Sequence, residues 1–177
     1  GDAVHSRRDA PDLAEAEPEE GLHLGNVFRY VLDGVKSVER LVQVGLRGLI
    51  DMASHADEER VSQIGMDSLR RGGIKAVLDA LPSAMPWYLS VDVDVLDPSF
   101  VPSTGTPMPG GLLPHELKDH LRAVASAREI VAADFVELAH PAHLSDTAAA
   151  LVTECLLTLA DAIVEQQRIS LSERGGA

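Results

Sequence analysis

One segment constrains the fold more than any other: an apolar run over residues 87–95 that carries two aspartates, Asp92 and Asp94. Its length and its β-branched residues predict a buried strand. Side chains on a strand alternate between two faces, so Asp92 and Asp94 are predicted to share one face. Burying two ionised carboxylates costs on the order of several kcal/mol each unless a positive group neutralises them. A divalent cation is the simplest such group, and an aspartate that only caps the next turn is the alternative.

Strand-like and helix-like segments alternate along the chain. In order, the patterns predict a helix over 26–34, a strand over 41–46, a helix over 56–63, an extended stretch over 64–66, a helix over 68–81, the strand over 87–95, a helix over 114–125, a strand over 130–138 and a helix from 145 to about 167. This alternation predicts parallel β-α-β units in one layered α/β domain spanning residues 1–177. We expect an acidic loop over 1–20 and a frayed tail over 170–177.

The charge balance argues against polyanionic partners. Fifteen Lys and Arg residues stand against 28 Asp and Glu, which gives a net charge of −13. Such a balance repels nucleic acid and anionic lipid surfaces. No apolar run approaches the roughly 20 residues of a membrane span, no signal peptide opens the chain, and Cys155 has no partner for an internal disulfide. We therefore expect a cytoplasmic protein that binds neither nucleic acid nor membranes and whose acidity suits a cation or a cationic substrate.

The segment that follows the two aspartates is predicted to carry function. Residues 97–111 are rich in Pro, Gly and Thr and are too long for a simple connection. Open α/β sheets place their sites at the carboxyl ends of parallel strands, which is where Asp92, Asp94 and this loop fall. Carboxylate oxygens favour Mg²⁺, Ca²⁺ or Mn²⁺, and a neighbouring histidine would shift the preference toward Mn²⁺, Zn²⁺ or Fe²⁺.

The motifs around this loop resemble the arginase and agmatinase ureohydrolases. Residues 90–98 read Ser-Val-Asp-Val-Asp-Val-Leu-Asp-Pro and residues 103–112 read Ser-Thr-Gly-Thr-Pro-Met-Pro-Gly-Gly-Leu, which is similar to the family signature S-x-D-x-D-x-x-D-P followed by TGTP-x-x-GGL. Weaker likenesses follow the family order at residues 23–29, 42–48, 134–137 and 147–149. The resemblance covers nearly the whole chain and leans toward agmatinase-type members.

This resemblance implies a fold, a reaction and a cofactor. The fold is a three-layer α/β/α domain around a parallel sheet, and the reaction uses two Mn²⁺ ions that activate water for attack on a guanidinium carbon, with release of urea. By the same resemblance, Asp92 and Asp94 are metal ligands, Glu137 pairs with the guanidinium, and His23 acts near the substrate or as a proton shuttle. Arg47 receives no role. The implied partners are a small, linear, cationic guanidino compound such as agmatine and, as the family forms trimers and hexamers, further copies of the chain.

The chain departs from the family pattern at its start. The family uses two histidines and four aspartates, and the G-G-D-H segment that carries the first histidine has no counterpart here. In the second cluster, D-A-H-x-D, Asp2 matches and Val4 stands at the histidine position, where a one-residue insertion would place His5. The chain thus resembles the C-terminal two-thirds of the family domain, incomplete at the N-terminus. Two explanations remain: a fragment or split enzyme that an N-terminal chain completes, or a catalytically silent subunit kept for binding or assembly.

Overall fold

The computed structural model describes residues 27–48, 59–139 and 147–175. Its elements in chain order are α1 (Val27–Gly34), β1 (Leu41–Leu46), β2 (Val61–Gly65), α2 (Met66–Ala80), β3 (Trp87–Asp92), a 3₁₀ turn (Val93–Val95), α3 (Pro114–Ala127), β4 (Ile130–Val136) and α4 (Thr147–Gly175). Helices and strands therefore alternate over most of the part that the structure describes.

The strands pair in parallel, as the alternation of helices and strands predicts. Strand β1 pairs with β2, and β3 pairs with β4. Within the described ranges the two pairs form separate two-stranded sheets. The predicted α/β class with parallel strands is confirmed, in two small pieces of sheet.

A β-bulge at Gly45 shapes the end of β1. The register shifts between Val44 and Leu46, and Gly45 adopts a φ of 82°, a conformation that costs a residue with a side chain on the order of 1–2 kcal/mol. A Cβ at Gly45 would also lie 2.7 Å from Cγ2 of Val95. Glycine at this position therefore lets β1 approach the 3₁₀ turn that follows β3.

The core is aliphatic and is supplied by one face of each long helix. In α3 the buried residues Leu117, Leu121 and Val124 recur at helical spacing. Helix α3 begins with Pro114, and Oε2 of Glu116 accepts a hydrogen bond from the main-chain nitrogen of Leu113 over 2.7 Å. This bond satisfies one of the amides that a helix leaves unpaired at its start.

Several predicted element bounds are wrong, and one predicted helix is interrupted. Residues 61–63 were predicted as helix but belong to β2, because they pair with β1 and Nε2 of Gln63 donates to Oε1 of Gln43 across the pair over 2.9 Å. Helix α2 is interrupted at Gly73, where φ is 57°. The last helix does not end near Gln167 but continues to Gly175.

Helix α4 also corrects the expectation about membrane-length segments. By length and composition alone, Thr147–Ser172 is apolar enough to cross a membrane. A single helix of this kind is weak evidence of a span, because the core helix of a globular protein passes the same test. Val152, Cys155 and Leu159 of α4 lie in the core, and Nζ of Lys118 on α3 pairs with Oε1 of Glu154 over 2.6 Å. Helix α4 therefore packs on α3 through its buried face.

Candidate active site

Strand β3 ends at Asp92, three residues earlier than the sequence predicts. The main-chain nitrogen of Asp94 donates to Oδ1 of Asp92 over 2.8 Å, and the nitrogen of Leu96 donates to the carbonyl oxygen of Val93 over 3.1 Å. These bonds close a tight turn in place of the strand ladder. The prediction that Asp92 and Asp94 share one strand face is therefore wrong, because Asp94 lies on a 3₁₀ turn.

The turn buries the Asp94 carboxylate under the loop that follows. Asp94 is 3% exposed. Its Oδ1 accepts a hydrogen bond from the hydroxyl of Thr104, and its Oδ2 accepts one from the hydroxyl of Thr106. Both threonines belong to the Thr-Gly-Thr-Pro motif, so this motif fixes the orientation of a buried acid.

Glu137 lies at the same end of the β3–β4 sheet. Asp92 pairs in register with Val136, the residue before Glu137. A Cβ at Gly105, between the two threonines, would lie 3.2 Å from Oε2 of Glu137. The structure thus brings Asp92, Asp94 and Glu137 to one edge, the carboxyl ends of two parallel strands.

The backbone of Glu137 is strained. Its φ is 65°, a left-handed conformation that a residue with a side chain adopts at a cost of about 1 kcal/mol or more. The nitrogen of Ala139, two residues on, donates to the carbonyl oxygen of Ser103 over 2.9 Å. Residues held in such conformations concentrate at functional sites, which supports a special role for this position.

Asp97 holds the base of the loop closed. Its Oδ1 accepts from the nitrogen of Ser99 over 3.0 Å and from the Ser99 hydroxyl over 2.5 Å, and its Oδ2 accepts from the nitrogen of Gly110 over 2.9 Å. The Ser99 hydroxyl, and then the amides of Ser99 and Gly110, lower the pKa of Asp97 from 3.8 to about 2. The two ends of the loop therefore meet on one ionised carboxylate.

Two arginines that the sequence left without a role hold the loop from the side of β1 and α2. The Arg47 guanidinium donates to the carbonyl oxygens of Asp94, Leu96 and Met108. Nη2 of Arg70 donates to the carbonyl oxygen of Gly111 over 2.9 Å. Burial lowers the pKa of Arg47, and the nearby Asp94 carboxylate opposes that shift. A sequence signal did exist, because Arg47 directly follows the strand predicted over 41–46.

The donor set fits part of a site for a hard divalent cation. Asp92 and Asp94 supply carboxylate groups at the end of β3 and on the turn that follows it, and carboxylate oxygens are the ligands that Mn²⁺ or Mg²⁺ prefers. Within the described ranges, no group of three or more His, Cys, Asp or Glu residues could hold a metal ion. The other predicted site residues, Asp2, His5 and His23, lie outside those ranges, so their predicted roles are untested.

The chain matches known proteins both in sequence and in structure. A family model described as the arginase family matches residues 10–160. Over 135 residues the chain is 38% identical to N(1)-aminopropylagmatine ureohydrolase of Thermus thermophilus, a match that covers 73% of this chain and 44% of that protein. Proclavaminate amidino hydrolase from Streptomyces clavuligerus matches with a TM-score of 0.69 at 31% identity, over 81% of this chain and 49% of that chain.

A second solved structure shows how far the fold extends. Formimidoylglutamase from Bacillus subtilis matches with a TM-score of 0.73 at 26% identity, over 85% of this chain and 50% of that chain. The chain therefore spans about half the length of the proteins it matches.

Proposed function

Because the chain belongs to the arginase family of ureohydrolases, we propose that it carries the loop and two of the metal ligands of a site that hydrolyses a linear guanidino compound with release of urea. The observation that carries this proposal is the buried Asp94 carboxylate, held between the hydroxyls of Thr104 and Thr106 beside Asp92. Burying a carboxylate costs free energy that hydrogen bonds and a bound cation can offset, and the carboxyl ends of parallel strands are where open α/β sheets place their binding sites. We propose an agmatine-like compound as the substrate.

Each residue has a distinct role in the proposed reaction. Asp92 and Asp94 would hold Mn²⁺, which when bound lowers the pKa of water enough to supply a nucleophile near neutral pH. Thr104 and Thr106 orient the Asp94 carboxylate, since each hydroxyl donates to one of its oxygens. The Glu137 carboxylate would accept hydrogen bonds from a guanidinium group, for which the geometry of two oxygens is well suited. Asp2, His5 and His23 complete the proposed set by resemblance.

Glu137 and the threonine loop together suit a planar cation. Gly105 lies beside Oε2 of Glu137 and brings no side chain of its own. A flat guanidinium group can therefore approach that carboxylate along the loop. The chain also carries a net charge of −13, which attracts a cationic substrate. Agmatine, guanidinobutyrate and arginine are the compounds to compare, since they share the guanidinium and differ at the far end.

A second candidate function follows from the departure of the chain from the family pattern. Val4 stands where that pattern has a histidine ligand, and the G-G-D-H segment has no counterpart in this sequence. A catalytically silent subunit that contributes a binding or assembly surface would need no complete metal site. The alternatives differ in metal content. An enzyme is expected to bind Mn²⁺ stoichiometrically, whereas a silent subunit is not.

The experiment that separates them measures metal and urea together. The protein is purified with and without added Mn²⁺, its metal is quantified by elemental analysis, and urea is assayed with each of the three guanidino compounds. Asp94→Asn is the test variant, and Asp79→Asn, an exposed acid on α2 paired with Lys75 over 2.6 Å, is the matched control. If wild type contains no bound metal and releases no urea, the enzyme proposal is contradicted for this chain as it stands.

A further chain or segment is part of the proposed enzyme. An N-terminal chain or segment that supplies a G-G-D-H-like stretch would complete the ligand set, and sequencing the DNA immediately upstream of Gly1 tests for one in frame. We propose that the protein acts in the cytoplasm and binds further copies of itself. Immunofluorescence and analytical ultracentrifugation measure these two properties directly.

A further inference from the structure

We propose that Arg47 is a positioning residue for the metal site: its guanidinium fixes the backbone of Asp94 relative to the loop, and its loss weakens binding of a divalent cation. This inference rests on the proposed function of Asp94 as a ligand. Arg47 follows the last residue of β1, Leu46, by one position. The family motif that residues 42–48 resemble assigns no role to Arg47.

The contacts of Arg47 join two strand pairs that are not paired with each other in the part of the chain that the structure describes. There, β1–β2 and β3–β4 are separate sheets. From the end of β1, Nη2 of Arg47 donates to the carbonyl oxygen of Asp94, to that of Leu96 over 3.2 Å and to that of Met108 over 2.7 Å. Its Nε also donates to Met108 over 3.1 Å. One side chain therefore ties β1 to both the turn and the far side of the loop.

The acceptors show what Arg47 does. All three are main-chain carbonyl oxygens, so these hydrogen bonds use no lone pair of the Asp94 carboxylate. The guanidinium fixes where the backbone of Asp94 sits, while the carboxylate oxygens point to Thr104 and Thr106. Residues that orient metal ligands in this indirect way commonly contribute 10- to 100-fold to metal affinity.

The glycines on either side of Arg47 allow this approach. The bulge at Gly45 brings β1 against Val95, and bulges are known to redirect a side chain at the end of a strand. A Cβ at Gly48 would lie 3.0 Å from Cε of Met108. The segment from Gly45 to Gly48 therefore lets Arg47 reach the loop at close range.

A lysine could supply the charge at this position but not the geometry. Arginine presents several N–H groups in a rigid plane, whereas lysine is a flexible point charge. Three acids near Arg47, namely Asp92, Asp94 and Asp97, favour any cation there. If the charge alone matters, Arg47→Lys will behave like wild type. If the planar fork matters, Arg47→Lys will fall well short of it.

A matched control exists at the other end of the same sheet. Nη2 of Arg60 donates to the carbonyl oxygens of Leu32 over 2.7 Å and of Val38 over 2.6 Å, and the nitrogen of Leu41, the first residue of β1, donates to the carbonyl oxygen of Arg60 over 2.9 Å. Arg60 therefore makes the same kind of bonds as Arg47, remote from Asp94. Arg60→Met removes such an arginine without touching the proposed site.

The experiment compares wild type, Arg47→Met, Arg47→Lys and Arg60→Met by two readouts. The first is Mn²⁺ affinity by calorimetry, which should fall about 10- to 100-fold in Arg47→Met. The affinity of Arg47→Lys should lie between those of Arg47→Met and wild type. The affinity of Arg60→Met should fall by less than about twofold, because residue 60 is remote from the site. The second is amide hydrogen exchange of metal-free protein over residues 93–112, which should speed up in Arg47→Met and not in Arg60→Met.

The two readouts separate failure of this inference from failure of the proposed function. Wild type that binds no Mn²⁺ overturns the metal role of Asp94, and the exchange comparison then decides alone whether Arg47 holds the turn and loop. Wild type that binds Mn²⁺ while Arg47→Met matches Arg60→Met in affinity overturns the positioning role. Wild-type affinity in Arg47→Lys also overturns it, because charge would then suffice.

Discussion

The main-chain nitrogen of Asp94 donates to Oδ1 of Asp92 over 2.8 Å. This bond ends strand β3 and begins the 3₁₀ turn, so Asp92 lies at the end of the strand and Asp94 lies on the turn. The first acid thus shapes the backbone that carries the second. Asp94 in turn is buried by the loop, which makes it the more decisive of the two for the proposed chemistry.

Asp94→Asn should remove metal binding while leaving the fold intact. The amide is close in shape to the carboxylate and can still bond to Thr104 and Thr106, and replacing a buried charge by a neutral group relieves a desolvation cost. We expect Mn²⁺ affinity to fall by more than about 100-fold and the free energy of unfolding of metal-free protein to stay within about 1 kcal/mol of wild type. Calorimetry and urea denaturation measure the two quantities. A metal-free variant that fails to fold would show that Asp94 has a structural role instead.

Glu137→Gly should be more stable than Glu137→Ala. Both changes remove the carboxylate, but only glycine adopts a φ of 65° without steric cost. We expect the glycine variant to exceed the alanine variant by about 1 kcal/mol in the free energy of unfolding. Urea denaturation of both variants checks this difference. Equal stabilities, or a more stable alanine variant, would mean that the backbone at residue 137 relaxes.

Asp97 should make the protein more sensitive to acid. Its folded pKa of about 2 lies below the ordinary 3.8, so the stability it contributes is fully present above about pH 3.8 and is lost as the pH falls toward 2. Asp97→Asn should therefore flatten the dependence of the urea midpoint on pH across that window. Ser99→Ala, which removes the largest cause of the shift, should flatten it in part. An unchanged slope in both variants would contradict the role of the Asp97–Ser99 bond.

Gly111→Ala should destabilise the loop base strongly. A Cβ at Gly111 would lie 2.4 Å from the nitrogen of Asp97 and from the carbonyl carbon of Leu96, and backbone atoms cannot move aside as a flexible side chain can. We expect a loss of about 3 kcal/mol. Gly34→Ala is the matched control, because no atom lies within 4 Å of the added Cβ, and it should change stability by less than about 0.5 kcal/mol. Similar losses in both variants would show that the loop base shifts readily.

The sequence predicts the site's neighbourhood better than its geometry. The acids, the long loop and the parallel strands follow from local patterns, since apolar runs and turn residues act over a few positions. Strand β3 ends early because a local bond between Asp94 and Asp92 outcompetes the ladder. The position of Arg47 after a predicted strand marks it as a candidate, but its acceptors are not predictable from local patterns, because Met108 is 61 residues away in sequence. Distant contacts of this kind depend on the whole fold.

The error at β2 has a related cause. The segment over residues 61–65 is short and carries polar side chains, so its pattern does not distinguish a strand from a helix. Pairing with β1 decides the matter, as the Gln63–Gln43 bond shows. The partner strand lies 20 residues earlier in sequence, and local propensity carries no information about it.

An apolar stripe on α4, formed by Leu157, Val164 and Leu171, should drive self-association. These side chains are 61%, 53% and 69% exposed, and their seven-residue spacing places them along one side of the helix. Exposed apolar side chains that recur along one side of a helix can mark an interface or an association hazard. We expect Leu157→Glu to lower the mean mass of the protein in sedimentation at a given concentration and to leave its urea midpoint unchanged, since residue 157 contributes little to the core. Ser172→Glu, close to the stripe but polar already, should leave the mass unchanged. If Leu157→Glu sediments as wild type does, the stripe is not a contact between copies.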